Sequence, residues 1–408
     1  MIYARLLEIQ YNNVTNIYMQ KILGIPRNVF FLGLVSMFND FSSEMVQSVM
    51  PLFLTTVLGA PIIMVGVIEG VADVVASTLK IISGWLSDKF NNRKSFAVLG
   101  YLLSVITRPF LILSKGYGSV FALRAIDRIG KGMRDSPRDA LISESTTPET
   151  ISFSFGYHRA MDAVGGMLGP LAALAILSAT AYSYKTVFAV AFGVGLLAII
   201  SFLFVKEIKR RDTAVAPRFD IKMLRSNHRF MVFLISVFVF GLGALPLPLM
   251  VLRAPEIGLS KATVPLFFFV ASISFVLAAI PFGKFADSFG KRKMVSLGFL
   301  SAFFAYSLLV VGHSFWTLAL AFIFIGFYNA ATDGIQRAMV VRLVDPQIRA
   351  TGQGFLNAAV GVSALLAGVI GGWLWTYVGA EAAFVYAAAM SFSGLILFLI
   401  LMQVRFRE

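Results

Sequence analysis

The feature that most limits the fold of this chain is a series of twelve stretches, each of about 20 or more mostly apolar residues. Crossing the hydrocarbon core of a bilayer takes about 20 helical residues. In that core every backbone N–H and C=O must be satisfied inside the segment, which leaves the α-helix as the solution for a single stretch. The stretches run roughly over 29–57, 62–86, 95–114, 118–143, 154–180, 185–205, 229–252, 262–286, 294–312, 315–343, 351–377 and 382–403. Of the 408 residues, 58% are hydrophobic and 14% charged. Soluble domains are about 45–50% apolar and about 25% charged. The chain is read as an all-α polytopic membrane protein.

The net charge of +14 would suggest nucleic acid in a soluble protein. Here short loops on one face account for it, because cytoplasmic loops of membrane proteins carry an excess of Lys and Arg. One face receives Lys89, Arg93 and Lys94, then Lys206–Arg225, then Lys291–Lys293, and finally Arg405 and Arg407. The opposite face receives little beyond Lys115, Lys185, Arg253 and Lys261. Both termini and the central loop are therefore expected in the cytoplasm, and no nucleic-acid partner is expected. The domains follow: a lead-in over 1–28 with no evident signal peptide, a six-span bundle over 29–205, a linker over 206–228, and a second six-span bundle over 229–408. With no cysteine and three scattered histidines, no metal, disulfide or cofactor is expected.

One stretch breaks the apolar pattern. In Ala122–Glu144, charges fall at Arg124, Asp127, Arg128, Lys131, Arg134, Asp135 and Arg138. Steps of one and three draw a single polar stripe along a helix. A charge at the bilayer centre costs about 2.5–3.5 kcal/mol even on lenient scales. The stripe must therefore face a protein interior or a wet cavity that holds counter-charges. Asp40 and Glu44 share a face of the first span, as do Glu69 and Asp73 of the second; His158, Arg159 and Asp162 lie on the fifth. Apart from Arg229 and Lys284 close to span ends, the second half has only Asp333, Gln336, Arg337 and Arg342 breaking its apolar spans, all on the tenth.

The two halves repeat each other. GWLSDKFNNRK at Gly84–Lys94 matches GKFADSFGKRK at Gly283–Lys293, and Gly84/Gly283, Asp88/Asp287, Arg93/Arg292 and Arg138/Arg337 share one offset. Pro148/Pro346 and Gly156/Gly354 repeat one residue closer. Duplicated halves recur in secondary transporters, with the site at the repeat interface near the midplane.

These residues resemble the major facilitator superfamily over the whole chain. Gly84, Asp88, Lys89, Arg93 and Lys94 match its loop signature between spans 2 and 3, with Asn92 in place of a Gly; Gly283, Asp287, Gly290, Arg292 and Lys293 repeat it. Gly84 allows close helix contact there, and Asp88 is a partner for Arg93 or for helix ends. Span 4 is similar to the superfamily's R-x-x-Q-G pattern through Arg128, Lys131 and Gly132, with Lys131 for Gln. Span 5 resembles its antiport signature through Gly156, Gly165, Gly169 and Pro170, whose last two glycines are replaced by Ala173 and Leu174. Gly165, Gly169 and Pro170 serve equally as helix packing and kink residues. Finer wording such as NDFSSEM and RIGKGMRDSPRDALI is similar to a subgroup of bacterial inner-membrane permeases.

The resemblance implies two six-helix bodies that rock about a central site, a secondary active transporter and not an enzyme. The expected substrate and proton pathway comprises Asp40, Glu44, Glu69, Asp73, Arg124, Asp127, Arg128, Tyr328 and Asn329, with Phe327 beside them on an apolar aromatic wall. The expected gate or latch comprises Gly84, Asp88, Arg93, Lys94, Lys131, Arg134, Asp135, Arg138, Arg159, Asp162, Gly283, Asp287, Arg292, Asp333 and Arg337; Arg108, before Pro109, reads as structural. The expected substrate is a small organic solute, tilted toward an anion by Arg124 and Arg128, with the proton as coupling ion and export favoured over uptake of an anionic nutrient or metal chelate. A channel or receptor is the other class; no filter ring or signalling domain supports it. The protein is expected to work as a monomer in the bacterial inner membrane.

Overall fold

The computed structural model describes residues 21–90, 92–146, 150–207, 227–345 and 349–403, without the side chains of Ile81, Trp85, Asp88, Ser152, Arg349, Ala350 and 401–403. Most of the lead-in and linker, and the Pro148/Pro346 pair, thus lie outside the described residues. A two-stranded hairpin, β1 (Lys21–Ile22) and β2 (Ile25–Pro26), precedes α1 (Arg27–Leu52), which runs on through a π-turn at Phe53–Val57. There follow α2 (Ile62–Phe90), α3 (Arg93–Ile112), α4 (Tyr117–Glu144), α5 (Ile151–Ala179) and α6 (Tyr184–Leu203). The second half has α7 (His228–Gly241), the short α8 (Leu247–Met250) and α9 (Arg253–Glu256), then α10 (Val264–Phe289), α11 (Lys291–Val311), α12 (Phe315–Leu343), α13 (Arg349–Tyr377) and α14 (Ala380–Gln403).

The repeat seen in sequence is a repeat of helices. The starts of α3, α4 and α5 (93, 117 and 151) recur 198 residues later in α11, α12 and α13 (291, 315 and 349). Ten helices among the described residues are long and apolar enough to cross a membrane. The other two spans account for the difference from twelve: α4 carries the charged stripe, and the seventh span is broken. The expected helix over 229–252 stops at Gly241 and resumes as α8 and α9. The intervening Gly243, Ala244, Leu245 and Pro246 include one residue that weakens a helix and one that blocks its bonding. The freed groups are not orphaned: Leu245 N–H donates to Tyr306 Oη at 3.0 Å, and Tyr386 Oη donates to the Leu242 carbonyl at 2.8 Å.

Helix starts follow local chemistry. Asn92, Ser183, Asn227 and Ser314 each cap a helix, with a side-chain oxygen accepting a backbone N–H three residues on. Asn92 occupies the cap that Gly290 fills in the other half, where φ is +100° and glycine is required.

Each half packs as one body: α1 on α5 and α6, α4 on α2 and α3, α12 on α10 and α11, and α14 on α7 and α11. Much of the aromatic content of the second half is consumed here. Phe240 stacks on Phe299 with centroids 3.7 Å apart and meets Tyr328 at 5.3 Å, and Phe267 packs on Phe322 at 5.1 Å. The halves meet along α2 with α13 and α5 with α10. A Cβ on Gly70 would lie 2.7 Å from Leu365 Cα, and one on Gly66 would run into the Gly368 carbonyl. Ile63 N–H donates to Thr376 Oγ1 at 3.0 Å, and Tyr182 Oη lies 3.0 Å from Ser260 Oγ. These tight contacts sit at the end remote from the linker, and α8 packs there on α1 and α2. Toward the linker end, Arg159, Asp333 and Arg337 are exposed.

Candidate functional site

The charges of the first half gather between α1, α2 and α4, as the helical spacing requires. Arg124 and Glu69 are 5% and 3% exposed. Arg124 donates to Glu69 through Nε at 3.1 Å and through Nη2 to both carboxylate oxygens at 2.7 Å, and through Nη1 to Asp127 at 3.3 Å. This is the fork geometry that makes Arg–carboxylate pairs strong. Arg128 donates to Gln47 Oε1 at 2.9 Å and lies 3.7 Å from Glu69. The expectation that Arg124 and Arg128 hold an anionic group is therefore corrected: Glu69, Asp127 and Gln47 already occupy them.

One turn on, Arg134 donates to Ser104 Oγ at 2.7 Å and lies over the Tyr101 ring at 4.8 Å. Arg138 pairs with Asp139 at 2.9 Å and Asp135 at 3.7 Å, and Lys80 reaches Asp135 at 3.4 Å. Asp162 lies 3.5 Å from His158 and 3.7 Å from Arg159. Asp333 pairs with Arg337 at 2.8 Å. These charges of the expected gate or latch thus pair within their own half, and the seam of α2 with α13 is lined by glycines and joined by the Ile63–Thr376 hydrogen bond.

The loop signature is also rewired. Arg93 pairs with Glu144 at the end of α4, and the Arg93 and Lys94 backbone N–H groups donate to Glu207 at 3.1 and 2.5 Å. Lys94 Nζ donates to the Val205 carbonyl at 2.6 Å. The Asp88 side chain lies outside the described residues. In the other copy Asp287 pairs with Lys291 at 2.8 Å, while Arg292 donates to the Leu399 carbonyl at 3.0 Å. Gly84 packs on Ser136 of α4 as expected, but a Cβ on Gly283 would meet nothing within 4 Å. The two signatures therefore do different work.

The sequence reads Arg108 as structural and does not single out several other residues. Arg108 is 2% exposed and donates to Ser43 Oγ at 3.0 Å, while its Nη1 has no partner. A cavity of about 10 Å³ lies among Ser43, Thr107, Arg108, Leu111, Arg124 and Asp127, space for about one water. Gln47, three residues beyond Glu44 on the same face, was legible from that spacing; Ser104, Tyr101, Glu144 and Glu207 were not.

Three acids and one cation remain. Among the described residues, the half-buried Asp40 accepts only from its neighbour Asn39 at 3.1 Å. Glu44 and Asp73 make no hydrogen bond or ion pair among the described residues, and neither does Lys131. On α2, Gly66 and Gly70 face α13, while Ala76, Leu79 and Lys80 face Gly132 of α4. At 100° per residue, Asp73 falls between these arcs and opposite the exposed Ile82. It thus points into the space between the halves. Asp40, Glu44 and Asp73 each lie within reach of the Lys131 charge. Gly169 of α5 packs against the Cβ of Glu44, where an added Cβ would lie 2.6 Å away, and Gly165 packs on Met37, so the glycines of span 5 bring α1 and α5 together beside these acids.

In the second half, Asn329 and Asp333 are exposed and share a face of α12. The Tyr328 ring points instead toward Phe240. Phe327 packs on Phe282 at 5.6 Å, on the arc that carries the exposed Leu320 and Trp316. The aromatic-wall expectation is corrected: these rings pack the body or face outward.

Two repeated six-span bodies with a charged surface between them define a transporter architecture. The pattern of the Major Facilitator Superfamily matches residues 32–254 and again 232–408. The chain is 32% identical over 388 residues to an MFS-type transporter of Methanocaldococcus jannaschii, covering 92% of this chain and 95% of that one. It is 22% identical over 324 residues to the multidrug resistance protein MdtH of Photorhabdus laumondii, covering 78% and 79%. Solved folds agree: a peptide transporter superposes with TM-score 0.78 at 15% identity over 95% of this chain and 96% of that one. A nucleoside transporter superposes with TM-score 0.78 at 14% identity over 92% and 99%. The chain belongs to the Major Facilitator Superfamily and is a multi-pass membrane transporter.

Proposed function

We propose that the protein is a proton-coupled secondary transporter that exports a small organic solute by alternating access, from an inner membrane with both termini in the cytoplasm. The observation that carries this is the asymmetry of the space between the halves. Glycine-lined helices meet at the end remote from the linker, and unpaired carboxylates line the space behind that seam. A titratable group on such a wall can exchange protons with whichever side is open. The Lys- and Arg-rich loops at the linker end support a cytoplasmic linker. The fit of Gly165 and Gly169 beside α1, together with the likeness to a multidrug resistance protein, supports export.

The absence of cysteine makes the test direct. Leu365→Cys reports on the seam, and Asp333→Cys reports on the linker end. Each single-cysteine variant is labelled in proteoliposomes with an impermeant maleimide at pH 5.5 and at pH 8. A transporter gives reciprocal changes: conditions that speed labelling at one reporter slow it at the other. Simultaneous labelling of both would indicate a channel. A Leu365→Cys variant that never labels would remove alternating access.

A further inference from the structure

We infer that the solute carried is an organic cation, and that Lys131 is the built-in charge it displaces. This rests on the transporter reading above and adds the chemistry of the cargo. Pairing decides the matter more than total charge. Arg124 and Arg128 are held by Glu69, Asp127 and Gln47; Arg134 by Ser104 and the Tyr101 ring; Arg138 and Lys80 by Asp135 and Asp139. Arg108 is enclosed against Ser43 and Gly195. Arg134 also lies 4.0 Å from Asp135. Among the described residues of α1, α2 and α4 that face the space between the halves, Asp40, Glu44, Asp73 and Lys131 are then left without an ionic partner.

An anion entering here meets three carboxylates and one free ammonium. To reach the Arg124 guanidinium it would have to displace Glu69 from three hydrogen bonds, and to reach Arg128 it would have to displace Gln47 and settle beside the Glu69 carboxylate 3.7 Å away. A cation meets carboxylates from two helices that no cationic side chain hydrogen-bonds among the described residues, Asp40 accepting from the neutral Asn39. Lys131 is the cation within electrostatic range of all three acids, and it is hydrogen-bonded to none of them; Arg124, Arg128, Arg134 and Arg138 act on one or two of the acids each, from places already fixed by their own partners. A proton competes for the same carboxylates, so release of the cation and uptake of protons are two occupancies of one site. That is the arithmetic of exchange. In the second half the exposed Asp333 is taken by Arg337, and Asn329 offers a neutral polar contact.

The test uses tetraphenylphosphonium and tetraphenylborate, which match in shape and differ in the sign of charge. Binding to the full-length protein in nanodiscs is measured by equilibrium dialysis against empty nanodiscs. Tetraphenylphosphonium is expected to bind at least about tenfold more tightly than tetraphenylborate. Asp73→Asn combined with Glu44→Gln should weaken it at least about tenfold. Lys131→Met should tighten it several-fold, a gain that misfolding cannot mimic. Preference for tetraphenylborate, binding of neither ion above empty nanodiscs, or phosphonium binding indifferent to the acids and to Lys131 would each overturn the inference. The readout is binding, not movement. A protein that passes the reciprocal labelling test and fails this one is a transporter of something other than an organic cation.

Discussion

Glu69 shows how much a single side chain can decide in this interior. It is 3% exposed and answers two arginines. Removing one partner of a buried ion pair leaves an uncompensated charge at a cost of about 3–5 kcal/mol, whereas replacing both by apolar groups is often neutral. Glu69→Gln is therefore expected to lower the melting temperature in detergent by about 5 °C or more. A Glu69→Met/Arg124→Met double variant should recover most of that loss. A double variant as unstable as the single one would mean the pair is not the unit assumed here. Asp40 predicts the opposite phenotype. With Asn39 its one hydrogen-bond partner among the described residues, Asp40→Asn should leave melting nearly unchanged while flattening the pH response of labelling at Leu365→Cys. These two roles could not be separated from the sequence. Spacing placed both carboxylates on inward faces, but which one meets an arginine depends on helix rotation and depth. The same limit hid the surroundings of Arg108, which come from Ser43 on α1 and Gly195 on α6.

Among the helices, the fourth and seventh spans depart most from a plain apolar rod. The charged stripe of α4 was legible as a stripe because period and burial agree: Arg124, Arg128, Arg134 and Arg138 are all buried. The break in span 7 was also written in the chain, as two glycines and two prolines between Gly241 and Pro248. The stretch is nevertheless apolar enough to read as one continuous span. What makes the break tolerable is tertiary: Tyr306 and Tyr386 satisfy the freed backbone groups. A buried polar group left unpaired costs about 1–3 kcal/mol. A Tyr306→Phe/Tyr386→Phe double variant should therefore lower the melting temperature by several degrees and speed amide exchange across residues 242–246. Unchanged exchange there would mean that other groups hold the break. The loop signature was legible as a motif but not as a network, since Glu144 and Glu207 reach Arg93 and Lys94 from helix ends more than 50 residues away in sequence.

At the scale of the whole molecule, the choice between two arrangements of the halves should turn on the seam between α2 and α13. Gly66 and Gly70 of one half meet Gly368 and Leu365 of the other so closely that an added Cβ would collide with backbone. Between membrane helices such packing works through van der Waals contact at close approach, without a hydrophobic driving force. It is therefore sensitive to a single methyl group, while the interior of each half is braced separately by its ion pairs and aromatic core. Gly66→Leu should penalise the arrangement seen here and leave each body folded. A ligand or substitution moves a two-state equilibrium only by its differential effect on the two states. A bias of about 1 kcal/mol shifts the ratio about fivefold. The Gly66→Leu change in the Leu365→Cys background is expected to speed maleimide labelling at the seam about fivefold or more. In the Asp333→Cys background the same change should slow labelling at the linker end. Melting curves should remain within a few degrees of the parent, because the substituted face is lost to the seam alone. Faster labelling at both reporters would mean that the substitution had loosened the fold, and the seam would then be a structural joint and not the element that sets which side is open.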